Sequence, residues 1–196
     1  MTDPQTVLTT WFPSDPAQAQ KLWWGKDEAT DASLRERFSA TLAAARRGEL
    51  DDWTTNARGR LALILVHDQL SRNIHRGSPE AFASDAMARA LTHAGLELGH
   101  DRELAPLERV FMYLPLEHSE DLAEQDECVG LFEALAAEAK AVSPEEGSRF
   151  AFYLTFAVRH REIIARFGRF PHRNAVLGRA STDEELAFLT EPGSSF

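Results

Sequence analysis

Ser143-Pro144-Glu145-Glu146 opens a stretch that the chain can use only as a helix. The serine is placed to accept the first orphan backbone N–H, and the proline sets φ where its missing N–H costs nothing. The glutamate three residues on can reach back to close a capping box. The helix should then run to Phe167, where Gly168 fits a left-handed cap and Pro171 forbids continuation. The same punctuation recurs along the chain. Asp3-Pro4 starts a short helix carrying Val7, Leu8, Trp11 and Phe12, and Pro13 ends it. A second is expected from about Asp31 to Arg47, with Leu34, Phe38 and Leu42 on one face and Gly48 as cap. A third spans about Asn56 to Ile74 and is apolar on nearly all sides at 61–66. Ser78-Pro79 opens a fourth, through Phe82, Met87 and Leu91 toward Gly99; "PLERVFMYLPLEH" is a fifth, and Ser119 to Ala141 a sixth. Thr182 to Glu185 repeats the capping box ahead of Leu186, Phe188 and Leu189. No run alternates β-branched residues between turn dipeptides. The expected fold is all-α, with about eight helices. No repeat, long linker or low-complexity tract divides the chain, so one domain over 1–196 is expected.

Charge narrows the function. The formal net charge is -10, which argues against bulk binding to nucleic acid or to an anionic membrane surface. The longest apolar run, "LALILV" at 61–66, is too short to span a bilayer. Cys128 is the single cysteine, so no intramolecular disulfide can form. A reducing compartment suits that usage, and "MTDPQTVLTTWF" lacks the basic start and apolar core of a signal peptide. A cytoplasmic protein is expected.

Against this acidic background, Ile163 to Thr182 holds four arginines and one histidine and no aspartate or glutamate. Two further blocks stand beside it: "HDQLSRNIHRG" at 67–77 and "FMYLPLEHSED" at 111–121. With "VLTTWFPSD" and "WWGKDEATDASLRERF" near the start, and "RHREIIARFGRFPHRNAVLGR" at 159–179, these blocks resemble the bacterial domain of unknown function 924 family over nearly the whole chain. The resemblance implies an all-helical, tetratricopeptide-like fold of stacked antiparallel helix pairs and brings no established activity. His67 stands where that family leads one to expect an apolar residue.

Read physically, the basic block is a loop pinned by Phe167 and Phe170, with Arg169, His172, Arg173, Asn174 and Arg179 left to find partners. Guanidinium forks suit carboxylate and phosphate alike. In the first block Asp68, Arg72 and Arg76 share one helical face, flanked by Gln69 and Asn73. In the second, Arg109, Tyr113 and Glu117 lie at i, i+4 and i+8, and Pro115 is expected to interrupt the helix. "EHSED" offers Glu117, His118, Glu120 and Asp121 as bases, orienting carboxylates or metal ligands. His160 falls on an apolar stripe with Tyr153, Phe156 and Phe167, which also suits a core histidine.

Two functions follow. One is binding of a small anion by Asp68, Gln69, Arg72, Arg76, Arg109, Tyr113, Arg169, His172, Arg173 and Asn174, with Glu117, His118 and His160 as acid–base groups. The other is a tetratricopeptide-like module that clamps an acidic peptide or C-terminus. The same arginines would equally serve to brace the fold against internal carboxylates. No cofactor is called for: glycine-rich phosphate loops, H-E-x-x-H, C-x-x-C and G-x-S-x-G are all missing from the sequence.

Overall fold

The computed structural model describes residues 2–195. Their regular structure is entirely helical. The α-helices are α1 (Pro4–Trp11), α2 (Pro16–Trp24), α3 (Glu28–Arg46), α4 (Ala57–Leu65), α5 (Ser71–Ile74), α6 (Asp85–Glu97), α7 (Pro106–Glu117), α8 (Leu122–Val142), α9 (Pro144–Phe167) and α10 (Asp183–Phe188). Eight of them have eight residues or more, in line with the expected number. None of the described helices is long and apolar enough to cross a membrane.

The helices gather into two compact units. The first runs to Arg76 and resumes at Glu80–Pro115; the second takes Gly77–Pro79 and the chain from Leu116 on. In the first, α4 is the axis of the core. Leu61, Ala62, Leu63, Ile64 and Leu65 are all essentially inaccessible, enclosed with Val7, Leu8 and Trp11 of α1, while α3, with Leu34, Phe38 and Leu42 buried, packs on Val66–Leu70 and α5. Each large side chain so buried contributes roughly 1.5–3 kcal/mol. In the second unit α8 and α9 form an antiparallel pair turned at Ser143, whose hydroxyl accepts from Glu146 N–H at 3.1 Å. Gly147 permits that tight turn: a Cβ there would sit 2.9 Å from the Lys140 Cα. Gly168, at φ +66°, ends α9 in the left-handed conformation.

Several boundaries differ from the sequence expectation. Asp15 caps α2 with Pro16 at its first position, the same signal as Asp3-Pro4, and this helix was not anticipated. Helix α3 starts at Glu28 because Asp27 is its cap. The expected fourth helix is split: Pro79–Phe82 makes one 310 turn, and α6 starts only at Asp85. The expected interruption by Pro115 does not occur there; α7 runs through it and stops at Glu117. A proline so near a C-terminus forfeits one hydrogen bond of the last turn rather than a central one.

The third expected helix is continuous in direction but not in pitch. Between α4 and α5, Val66–Leu70 forms a wide π turn, in which Ser71 N–H bonds the Val66 carbonyl. All five residues of the turn are buried. Wide turns of this kind are rare and frequent at functional positions.

Candidate functional site

The structure supplies most of the sequence-predicted cations with internal acids. In the first unit Arg72 grips Asp85 with both amino groups, at 2.9 and 3.1 Å, and also reaches Asp68 at 2.9 Å. Gln69 donates to the other oxygen of Asp68 at 2.6 Å. Arg76 holds Asp31 through Nε at 2.5 Å and Nη2 at 3.0 Å, and Asn73 adds a third donor at 2.9 Å. Burial pushes the Asp31 carboxyl up, but Arg76 and Asn73 outweigh it and hold it below the usual carboxylate range. Arg109 donates to the Tyr113 hydroxyl, and that hydroxyl donates to Asp101, each at 3.0 Å. Burial pushes the Tyr113 phenol up to about 12.

In the second unit the acid-free loop meets acids from elsewhere in the chain. Arg169 clamps Glu185 at 2.6 and 2.8 Å. Glu185 also accepts from Asn174 and from the Thr182 N–H of its own capping box. Led by the Arg169 bond, these partners bring the Glu185 carboxyl down to about 2. Arg179 grips Glu120 at 2.6 and 2.9 Å, and Glu120 further accepts from Phe170 N–H at 2.9 Å. Asp121 is the N-cap of α8. Glu120 and Asp121 of "EHSED" therefore brace the loop and start a helix.

What gathers around Phe170 is a different set. Phe170 is fully buried with Ile163 and Ile164. The Arg173 guanidinium lies over its ring at 4.4 Å and donates through Nη1 to the His118 carbonyl at 3.0 Å. The His160 ring approaches Phe170 edge-on at 5.5 Å, and His172 lies at 5.6 Å. His118 and His160 are 6.3 Å apart, centroid to centroid. Two imidazoles and one guanidinium thus pack on a single phenyl ring, with the His118 imidazole beside that of His160.

Beneath them, His160 Nδ1 faces the Phe156 carbonyl at 2.8 Å and Glu117 Oε1 at 3.3 Å. Both side chains are buried. Both partners of Nδ1 are acceptors, so the neutral ring carries its proton there and Nε2 keeps the lone pair. Burial lowers the pKa of His160, and the positive charge of His118, Arg173 and His172 lowers it further. Burial and then Glu117 raise the Cys128 thiol, which is no nucleophile at neutral pH.

Gln125 fixes this arrangement, and sequence reasoning missed it. Its amide donates to the carbonyls of Glu117 and Ser119, each at 2.7 Å. With Arg173 on the carbonyl between them, three consecutive oxygens at the end of α7 are satisfied by side chains. A helix C-terminus leaves such carbonyls without internal donors, which is the one signal that could have pointed to Gln125. Among the described residues no three His, Cys, Asp or Glu side chains gather as a metal set.

The comparisons with known proteins agree with one another. The family model for bacterial proteins of unknown function, DUF924, matches residues 7–193. The chain is 36% identical to a protein of unknown function from Agrobacterium tumefaciens whose structure is solved, covering 95% of this chain and 96% of that one at a TM-score of 0.80. No curated protein matches. The all-helical architecture, the family match across the chain and the shared fold place the protein in the DUF924 family of bacterial proteins.

Proposed function

We propose that the protein binds a small anionic molecule, carboxylate or phosphate in class, at His118, His172 and Arg173 in its second unit. The observation behind this reading is the gathering of His160, His172 and the Arg173 guanidinium on Phe170, with His118 against His160, in a chain of net charge -10. Arg169 and Arg179 close on Glu185 and Glu120 and brace the loop. Arg173 is shaped for the task by a backbone carbonyl and an aromatic face, which orient the fork. The buried Glu117–His160 pair lies beside this set, and Glu117 helps to orient the His160 ring through Nδ1.

Thermal-shift measurements with phosphorylated and carboxylated metabolites test the reading on the wild type, Arg173→Ala and His172→Gln. A ligand that raises the wild-type Tm and acts on neither folded variant supports it. A ligand that stabilises all three proteins equally refutes it, as does the failure of every anion to act on the wild type.

A further inference from the structure

We infer that Arg46, His67 and His75 form a separate small-oxyanion site in the first unit. The reading does not depend on the function proposed for the second unit. It starts from how Arg46 is bonded. This arginine lies in the last turn of α3 and is half-buried. Its Nε donates to Ser84 Oγ at 2.8 Å, and its Nη2 donates to Ser71 Oγ at 3.1 Å and to the Glu80 carbonyl at 2.9 Å. All three acceptors are neutral. Among the described residues no carboxylate bonds Arg46, in contrast to Arg72, Arg76, Arg169 and Arg179. A guanidinium keeps its charge at every ordinary pH. Burial lowers the Arg46 pKa, opposed by the field of Glu80.

The π turn brings two histidines to the same place. His67, Ser71 and His75 follow at four-residue steps across the wide turn and α5, with His75 N–H bonded to the Ser71 carbonyl at 3.0 Å. Because the Ser71 hydroxyl is bonded to Arg46, that line of residues faces the end of α3. Arg35, a few turns earlier on α3, donates to the Ile74 carbonyl at 2.9 Å and adds charge beside His75.

His67 is the second, independent observation. It is 3% exposed, and its Nδ1 is buried without a hydrogen-bond partner. A buried polar atom in that condition is destabilising and calls for a missing partner, a water or an ion. The positive field of Arg46 outweighs the opposing field of Asp51 and depresses the His67 pKa beyond the effect of burial alone. An oxyanion answers each of these needs. It accepts from the amino group of Arg46 that has no other acceptor, accepts from the Nδ1–H of His67, and neutralises the local charge.

The test is residue-resolved NMR of the full chain, titrated with inorganic phosphate, with potassium chloride at matched ionic strength as reference. Saturable shifts are expected at the Arg46 Nε–H and at the ring nitrogens of His67 and His75. Phosphate binding read at those signals should weaken at least tenfold in Arg46→Gln. If that variant does not fold, Arg46→Lys keeps the charge and removes the fork; several-fold weaker binding is then expected. Shifts that chloride reproduces would overturn the inference, as would undiminished binding in the folded Arg46 variant. Shifts confined to His118, His172 and Arg173 would overturn it too, while supporting the second-unit reading.

Discussion

The acid-free loop after α9 and the helical segment around Arg46 both concentrate positive charge, and they dispose of it in opposite ways. In the loop, Arg169 and Arg179 each close on a carboxylate with two hydrogen bonds. Around Arg46 the acceptors are two hydroxyls and a carbonyl. The loop looks uncompensated in sequence and is compensated in space. Arg46 sits in a stretch that nothing in the sequence marks as unusual, yet among the described residues no carboxylate bonds it. Local composition is therefore a poor guide to local charge in a folded chain. What decides is which side chains the fold brings within about 3 Å, the range of a charge-assisted hydrogen bond.

The largest expected effect breaks the compensated side of this contrast. Glu120→Ala strands the Arg179 guanidinium and the Phe170 N–H together, and should lower stability by about 3 kcal/mol, read from urea denaturation. Next comes acid sensitivity. Glu185 has its carboxyl brought down to about 2, so its contribution is complete above the unfolded value near 4.5. That contribution is lost as pH falls from there toward 2. Glu185→Gln should flatten this limb of the stability–pH curve and lower stability at neutral pH.

On the uncompensated side the sign reverses. His67→Leu removes an orphan nitrogen from the interior, and in phosphate-free buffer should raise stability by about 1 kcal/mol. His67 has its pKa lowered to about 4, mainly by burial. The wild type should therefore lose stability as pH falls from the ordinary histidine value of 6.5 toward 4, because the unfolded chain binds the extra proton. The variant should lack that loss, which a pair of thermal melts at pH 7 and pH 5 would reveal. The smallest effect is expected for Glu184→Ala. This exposed residue pairs with Arg166 at 2.9 Å, and its removal should cost about 0.5 kcal/mol or less by chemical denaturation. A larger value would mean that surface pairs on α10 matter as much as the buried clamps.

Much of the helical frame was legible because caps and breakers are local chemistry. Ser143, Gly168 and the Thr182–Glu185 box sit where the sequence puts them. The π turn was not legible: Val66 and Leu70 keep the four-residue apolar spacing that an ordinary buried helix would. Ser78-Pro79 misled for a related reason, since its signal starts a single 310 turn as well as it starts a helix. For the candidate site, His118, His160, His172 and Arg173 were visible as residue types, and Phe170 as an anchor. The pairing of Arg72 with Asp85, of Arg76 with Asp31 and of Arg169 with Glu185 was not, because the partners lie 13, 45 and 16 residues away. Gln125 escaped because a glutamine in an acidic helix gives no hint of the carbonyls it will cap.

The wide turn at Val66–Leu70 also makes chain length a specification. An α-helix advances about 100° per residue, and the wide turn already takes up one residue more than an ordinary turn, so inserting a further residue among these five would swing everything downstream by that angle. Ser71 would leave the guanidinium it now supports, and His75 would turn away with it. Substitutions in this segment can be absorbed one side chain at a time, whereas a single-codon insertion would dismantle the whole alignment at a stroke.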